Sequence, residues 1–490
     1  MLMKKDWEKK KKIKNSNYPG WSAALITIIM FAVIFAAMIV NVFMFQSKDR
    51  SVVYTNSYNH DRMDIIKTRI SRGTIYAADG SVLAKSVEDD EGNEIREYPY
   101  GEVFAHPVGF CQKGVMGIER DMQPYLMSTG ISISEQLDNA MNDKKNPGNN
   151  VYTTLNPKLQ EAAFKGLGDK TGAIIVTEAK TGKILAMAST PCFDPNEIES
   201  KWDEISKDED NSPLLNRASQ GLYPPGSTFK ILTAAEFIRE YPKDWRNYTF
   251  SCSGKFTFGD ESVSCFHGSV HGDVDLSTSF AKSCNSSFAN IGTELNRKKF
   301  AQMLADMKFN EKLPVEFESS ISRIYWDVDM KDKDMLQISI GQSRTMMSPL
   351  HLNMITQAVA NDGEMLCPYL TERVENANGQ IIADYKTTSL GNVLDKNEAD
   401  VMHELMREVV VSGTGDDLNN RSYTVSGKTG SAEISDSSTL SHAWFTGYAP
   451  AEDPEIVITV IIEKGGSGGA VAAPIAGEVL DVYFEGGSEE

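Results

Sequence analysis

Tyr223-Pro224-Pro225-Gly226-Ser227-Thr228-Phe229-Lys230 is the stretch on which the reading of this chain turns. Two prolines and a glycine set a tight turn, and an apolar helix is expected from the serine onward, over 227–240. Lys230 stands three residues after Ser227, so hydroxyl and ammonium share one face of that helix. A serine needs a base to become a nucleophile. A lysine serves when burial or a nearby positive charge lowers its pKa. The positive end of the helix also favours negative charge developing at Ser227. Alone, S-x-x-K is a weak signal. A second match, Ser279-Phe280-Ala281-Lys282, has no Pro-Gly turn before it and reads as a helix start with a surface lysine.

Two further elements single out Ser227. Ser283-Cys284-Asn285 begins 56 residues later, and Lys428-Thr429-Gly430-Ser431 begins 145 residues after that. K-T-G also occurs at Lys170-Thr171-Gly172 and Lys180-Thr181-Gly182, but both precede the serine, and the second is a strand-connecting turn. The later triplet has a strand expected over 423–428 running into it and Trp444-Phe445-Thr446-Gly447-Tyr448 as the expected neighbouring strand. The ordered set S-x-x-K, S-x-N, K-T-G is shared by β-lactamases and penicillin-binding proteins.

Around these motifs the pattern is mixed. Residues 173–178 (AIIVTE) read as a buried strand, returning over 184–188. Helices are expected over 156–167, 280–295, 349–360 and 397–411, strands over 443–448 and 456–462, and a closing helix over 473–484. Strands at both ends of this segment, with helices between, predict an antiparallel sheet assembled from distant pieces and covered by helices. Residues 46–150 read as a small irregular region with short strands at 73–77 and 81–83 joined through Asp79-Gly80. Its end, 142–150, looks disordered and is taken as a boundary.

The N-terminus is electrostatically distinct. The chain of 490 residues carries 49 Lys and Arg against 68 Asp and Glu, a net charge of −19. Its first 20 residues hold seven lysines against one Asp and one Glu, +5, so the remainder carries −24. So acidic a body argues against a nucleic-acid partner. Residues 21–45 contain no charge, which at a rise of about 1.5 Å per residue is enough for a membrane-spanning helix. The run exceeds a signal-peptide core and no small-x-small cleavage site precedes Gln46. With the lysines before it, the positive-inside rule predicts a cytoplasmic tail (1–20), an anchor (21–45) and an extracytoplasmic body. The expectation is a single-pass, type II protein of the cell membrane.

From anchor to C-terminus the chain resembles a class B penicillin-binding protein, one of the monofunctional D,D-transpeptidases of peptidoglycan synthesis. Arg72-Gly73-Thr74-Ile75, with Asp79-Gly80 and Leu83-Ala84, is similar to the family's R-G-x-I…G-x-x-L-A motif. Gly117-Ile118-Glu119-Arg120 resembles its G-[LI]-E element, and Thr181 to Met187 with Pro191 and Asp194-Pro195-Asn196 resembles the start of the transpeptidase domain. Gly341-Gln342 and Ser348-Pro349-Leu350 resemble the helix bordering the cleft, and Ser431 stands where threonine is commoner. The resemblance implies an α+β fold of the serine β-lactamase-like kind, an antiparallel sheet flanked by helices. One transmembrane helix and a small N-terminal domain (46–150) would precede the transpeptidase domain (151–490).

The resemblance also implies roles. Ser227 would attack the carbonyl between the last two D-alanines of a stem peptide, and Lys230 would take its proton. Ser283, assisted by Lys428, would relay a proton to the leaving D-alanine. Asn285 would bind the peptide amide. Backbone N–H groups of Ser227 and Ser431 would form the oxyanion hole, and Thr429 and Ser431, around Gly430, would hold the substrate carboxylate. An amine from a neighbouring stem would accept the acyl group, and β-lactams would inhibit. A membrane partner, a glycosyltransferase of the shape, elongation, division and sporulation (SEDS) type, would supply the strands. A β-lactam sensor and a β-lactamase-like hydrolase are the competing functions.

No cofactor and no metal are expected, and the seven histidines read as structural. The six cysteines stand at 111, 192, 252, 265, 284 and 367. Outside the membrane Cys252 and Cys265 suit a disulfide. Free thiols, or a metal held by Cys252, Cys265, His267 and His271, are the other readings, although the C-x₂₋₄-C spacing of structural zinc is missing.

Overall fold

The computed structural model describes residues 19–48, 60–434 and 440–486; the basic tail lies outside them up to residue 18. The chain divides into two compact units, Met1–Arg62 and Met63–Glu490. In the first, a helix of 30 residues runs over Pro19–Lys48, a length of about 45 Å. Its stretch Ala24–Asn41 has a mean hydropathy of 2.6, and none of it is buried against protein. It is long and apolar enough to cross a membrane.

The second unit is built on a five-stranded sheet in the order Ser426–Glu433, Ser441–Ala449, Ile456–Ile462, Gly172–Glu178, Ile184–Thr190. Every pairing is antiparallel. Ile456–Ile462 (IVITVII) is buried along its whole length, because helices cover both faces of the sheet. Strand alternation sorts its side chains into two cores. Ile456, Ile458, Val460 and Ile462 join Phe445, Ile174 and Val176 under the helices Pro157–Leu167 and Ala473–Glu485. Val457 and Ile461 join Trp444, Tyr448, Ala173 and Ile175 in the larger core on the opposite face. There the helix Pro349–Ala360, capped by Ser348, is buried throughout. Its polar groups are paired with the sheet: Thr356 Oγ1 lies 2.7 Å from Thr446 Oγ1, and Asn353 Oδ1 accepts from Thr177 Oγ1 at 2.7 Å.

A second, six-stranded sheet has the order Ile381–Asp384, Thr371–Glu375, Asn150–Thr153, Ile75–Tyr76, Val82–Glu88, Glu94–Glu97. The Asp79-Gly80 hairpin is present, with Gly80 at φ +87°. Residues 142–150 depart from expectation. Asn146–Pro147 pairs in parallel with Ile70–Ser71, and Asn150 opens a sheet strand. Polar composition misleads there because the polar side chains are used: Lys145 pairs with Glu94, Asn149 Nδ2 donates to Tyr125 O, and Asn150 Oδ1 accepts from Thr74 N. Beside this sheet Glu119 is fully buried between two arginines, with Arg72 Nε at 2.5 Å and Arg96 Nε at 2.7 Å. Burial alone would raise its carboxyl; the two guanidiniums outweigh that and hold it below the ordinary range.

Candidate active site

The chain reaches the site at Tyr223, which exchanges backbone hydrogen bonds with Met347, N to O at 3.0 and 2.8 Å. Trp444 Nε1 donates to Pro224 O at 3.0 Å, tying the proline turn to the sheet. Gly226 has φ +53°, a left-handed backbone that favours glycine, and its N–H donates to Gly341 O at 2.9 Å. A Cβ there would stand 3.0 Å from Ala432 and 3.1 Å from Ser431 O, so the edge strand lies directly against the turn. Ser227 sits in a single 3₁₀ turn, Gly226–Phe229, and Lys230 opens the α-helix Lys230–Glu240. The expected α-helix over 227–240 therefore begins three residues late, the tighter turn being imposed by the edge strand.

The helix expected over 280–295 is broken. Leu276–Ala281 ends, Asn285–Glu294 begins, and Ser283 lies in the gap at φ +57°. That backbone costs a non-glycine residue about 1–3 kcal/mol and persists only where surrounding contacts fix it. Here it aims two residues at the lysine. Lys230 Nζ donates to Ser283 O at 2.8 Å, to Asn285 Oδ1 at 2.7 Å and to Ser283 Oγ at 3.2 Å. Asn285 Nδ2 in turn donates to Ser264 O at 3.1 Å.

Lys428-Thr429-Gly430-Ser431 lies inside the edge strand Ser426–Glu433, not at the end of a strand over 423–428. Lys428 is fully buried; its Nζ donates to Thr429 O at 3.1 Å and lies 5.5 Å from the ring centroid of Phe280. Lys230, also fully buried, has Nζ 5.4 Å from the Phe288 ring. Burial brings Lys230 down to about 7, against the opposing pull of the Cys284 and Cys265 sulfurs. Burial, and then the charge of Lys230, hold Lys428 well below its ordinary value. Thr429 Oγ1 is 2.5 Å from Thr414 Oγ1, and Ser431 Oγ accepts from Gly468 N at 3.2 Å. Gly430 is tightly enclosed: a Cβ would stand 3.0 Å from Thr228 Cγ2 and 3.1 Å from Pro225 O.

A cavity of about 460 Å³ gathers Ser227, Ser283, Asn285, Thr429, Gly430 and Ser431 at its wall. Lys230 and Lys428 stay buried behind it. The lining residues outside the motifs include Gln337, Thr414 and Glu433. Only Thr414 carries a signal, the Ser412-Gly413-Thr414-Gly415 turn before the edge strand. Of the second S-x-x-K match, Lys282 stands at the cavity wall but its serine does not. Ser279 is fully buried and its Oγ accepts from Ser287 Oγ at 2.7 Å. Lys180 pairs with Asp453 at 3.8 Å on the far side of a turn at Gly182. His106 and His351 are buried, each with Nε2 against a backbone carbonyl (Pro213 and Met307), and burial lowers both to about 4. Both are structural, as expected.

A serine-bearing turn with a buried lysine beneath it, an S-x-N gap and a K-T-G edge strand around one cavity define the class of penicillin-recognising serine acyltransferases. The chain belongs to the penicillin-binding protein transpeptidases: the family model of the penicillin binding protein transpeptidase domain matches residues 172–481. The penicillin binding protein A dimerisation domain matches residues 72–151. The peptidoglycan D,D-transpeptidase PbpA of Mycolicibacterium smegmatis is 30% identical over 447 residues, covering 85% of this chain and 90% of that protein. The crystal structure of the D,D-transpeptidase domain of a peptidoglycan glycosyltransferase from Eggerthella lenta is 32% identical. It covers 86% of this chain and 99% of its own, with a TM-score of 0.77. Penicillin-binding protein A of M. tuberculosis, solved as a ceftriaxone acyl-enzyme, aligns with a TM-score of 0.78 at 27% identity, over 86% of this chain and 99% of its own.

Proposed function

We infer that this chain is a peptidoglycan D,D-transpeptidase that acylates Ser227 with a stem peptide and passes the acyl group to a second stem. The observation that carries this is the convergence of three distant motifs on one cavity, with Lys230 buried behind it. A neutral amine has two N–H donors and one lone pair. Ser283 O and Asn285 Oδ1 are its two short acceptors, which leaves the lone pair on the side where the Ser283 hydroxyl stands at 3.2 Å. Ser227 Oγ attacks the carbonyl of the penultimate D-alanine and gives its proton to Lys230. The N–H groups of Ser227 and Ser431 stabilise the oxyanion. Collapse breaks the peptide bond, and the leaving D-alanine nitrogen takes a proton through Ser283, assisted by Lys428. The acceptor amine then attacks the ester and passes a proton through the same relay to Lys230; collapse breaks the ester C–O bond, and Lys230 returns the proton to Ser227 Oγ. Thr429 and Ser431 hold the terminal carboxylate, and a β-lactam enters the same way but leaves no detached amine to expel. M. tuberculosis penicillin-binding protein A, trapped as a ceftriaxone acyl-enzyme, supports that reading.

The test is an exchange assay on the full-length protein with a D-Ala-D-Ala peptide and a labelled amine acceptor. We expect release of D-alanine with the label joined to the peptide, and neither with Ser227→Ala. Hydrolysed peptide with no captured amine would replace the transpeptidase with a hydrolase.

The division into an N-terminal domain at 46–150 and a transpeptidase domain at 151–490 is supported by the two family matches, at 72–151 and 172–481. The helix Pro19–Lys48 and the preceding lysines support a type II anchor in the cell membrane with the body outside. The partner that polymerises the glycan would be a SEDS-type glycosyltransferase touching the anchor. A C-terminal alkaline phosphatase fusion should be active with the native anchor and with residues 21–45 exchanged for an unrelated type II anchor. Only the native form should co-purify with the polymerase. An inactive native fusion removes the orientation, and equal co-purification removes the role of the helix.

A further inference from the structure

We propose that Cys252, Cys265, His271 and Cys284 form a tetrahedral zinc site that holds the Ser283–Asn285 gap in its working geometry. Their ligand atoms all lie within 4.8 Å of one another. Cys252 Sγ is 3.7 Å from Cys265 Sγ, Cys265 Sγ is 3.8 Å from Cys284 Sγ, and His271 Nδ1 is 3.4 Å from Cys252 Sγ. A tetrahedron with Zn–S of about 2.3 Å and Zn–N of about 2.0–2.1 Å requires edges of about 3.8 Å between sulfurs and about 3.5 Å from sulfur to nitrogen. A disulfide would bring two sulfurs to about 2.05 Å, and the described cysteines are all free. The expected pairing of Cys252 with Cys265 is therefore not formed. His267, offered by sequence as a ligand, lies outside the cluster, and Cys284 takes its place.

The fold explains how ligands so far apart in sequence meet. Cys252 ends the strand Thr249–Cys252, and Gly272 pairs with it, which sets His271 beside its thiol. The hairpin of Lys255–Phe258 and Glu261–Ser264 doubles back to Cys265, whose N–H donates to Gly254 O at 2.9 Å. Cys284 caps the ten-residue helix Asn285–Glu294. Backbone donors point at each sulfur: Gly254 N to Cys252 at 3.4 Å, Ser286 N to Cys265 at 3.5 Å, Ser287 N to Cys284 at 3.4 Å. Such N–H contacts favour thiolates, the form that binds a metal. Three thiolates and one imidazole suit zinc over calcium or magnesium, which take oxygen ligands.

The site is built into the catalytic motif. Cys284 is the middle residue of Ser283-Cys284-Asn285, both of whose flanking side chains meet Lys230 Nζ. Cys265 follows Ser264, whose carbonyl accepts from Asn285 Nδ2. A metal joining the two cysteines would pin the left-handed Ser283 from behind while Cys265 and His271 also face the cavity. The four residues are metal ligands and positioning residues, not catalytic ones.

The experiment uses full-length protein purified in detergent without chelator. Elemental analysis should find about one zinc per chain, and Cys252→Ser should lose most of it. Cobalt exchanged into the native protein should show thiolate-to-cobalt charge-transfer absorption. A native protein without zinc, or a Cys252–Cys265 disulfide in its peptide map, overturns the site whatever the enzyme's activity. The positioning role is read on the native chain, so that a misfolded variant decides nothing. Stripping zinc should lower penicillin labelling at least tenfold and re-adding zinc should restore it. Unchanged labelling after metal loss overturns the role and leaves the transpeptidase reading intact.

Discussion

Ser227→Ala should abolish covalent labelling by a fluorescent penicillin, while Ser279→Ala, the other S-x-x-K serine, should label as the native protein does. The two serines share a motif and differ in place. Ser227 lines the cavity on a turn fixed by Trp444 and Gly341. Ser279 is buried and its hydroxyl is used by Ser287. Its removal leaves one neutral hydrogen bond unmade, a stability cost of about 1–3 kcal/mol with no acyl acceptor lost. Labelling of gel-resolved protein, with thermal melting to confirm folding, reads both. Residual stoichiometric labelling of Ser227→Ala would move the nucleophile elsewhere.

Lys230→Ala should slow acylation by about 10⁴-fold or more, the scale on which a catalytic unit fails when its base is removed. An exposed lysine near pKa 10.4 is neutral in only about one molecule in 2,500 at pH 7. Burial brings Lys230 to about 7, so about half the molecules present a free amine at that pH. The sign follows. Below this value the ammonium dominates and the base is lost; above it the amine is free. The second-order rate of penicillin acylation should therefore rise through a midpoint near 7 and then level off. Lys230→Arg should fail like the alanine variant, since a guanidinium keeps its proton. A flat profile between about pH 6 and 8, or an arginine variant within tenfold of native, would take the base role from this residue.

Much of the site is legible in residue order and spacing alone. Ser227, Lys230, Ser283, Asn285 and the Lys428–Ser431 run follow from the three motifs, and each stands at or behind one cavity. The hydrophobic strands are legible because residues such as those of Ile456–Ile462 are apolar at nearly every position and bury on both faces. The break around Ser283 is not. Its flanks, Phe280 and Phe288, are both fully buried, so apolar periodicity carries the helix straight across. Only the acceptors on Lys230 reveal why the chain stops there.

The sequence by itself determined the candidate nucleophile, the order of its partner motifs, the apolar N-terminal run and the antiparallel sheet, since each is written in local residue type and spacing. The tertiary structure decided what depends on distant groups meeting. It set Gly226 against Ala432, buried Lys428 beside Phe280, and drew Cys252, Cys265, His271 and Cys284 together. The ligand set was hidden for a physical reason. Zinc spacing rules describe ligands on one short loop, whereas here a strand pair, a hairpin and a helix cap each deliver one or two.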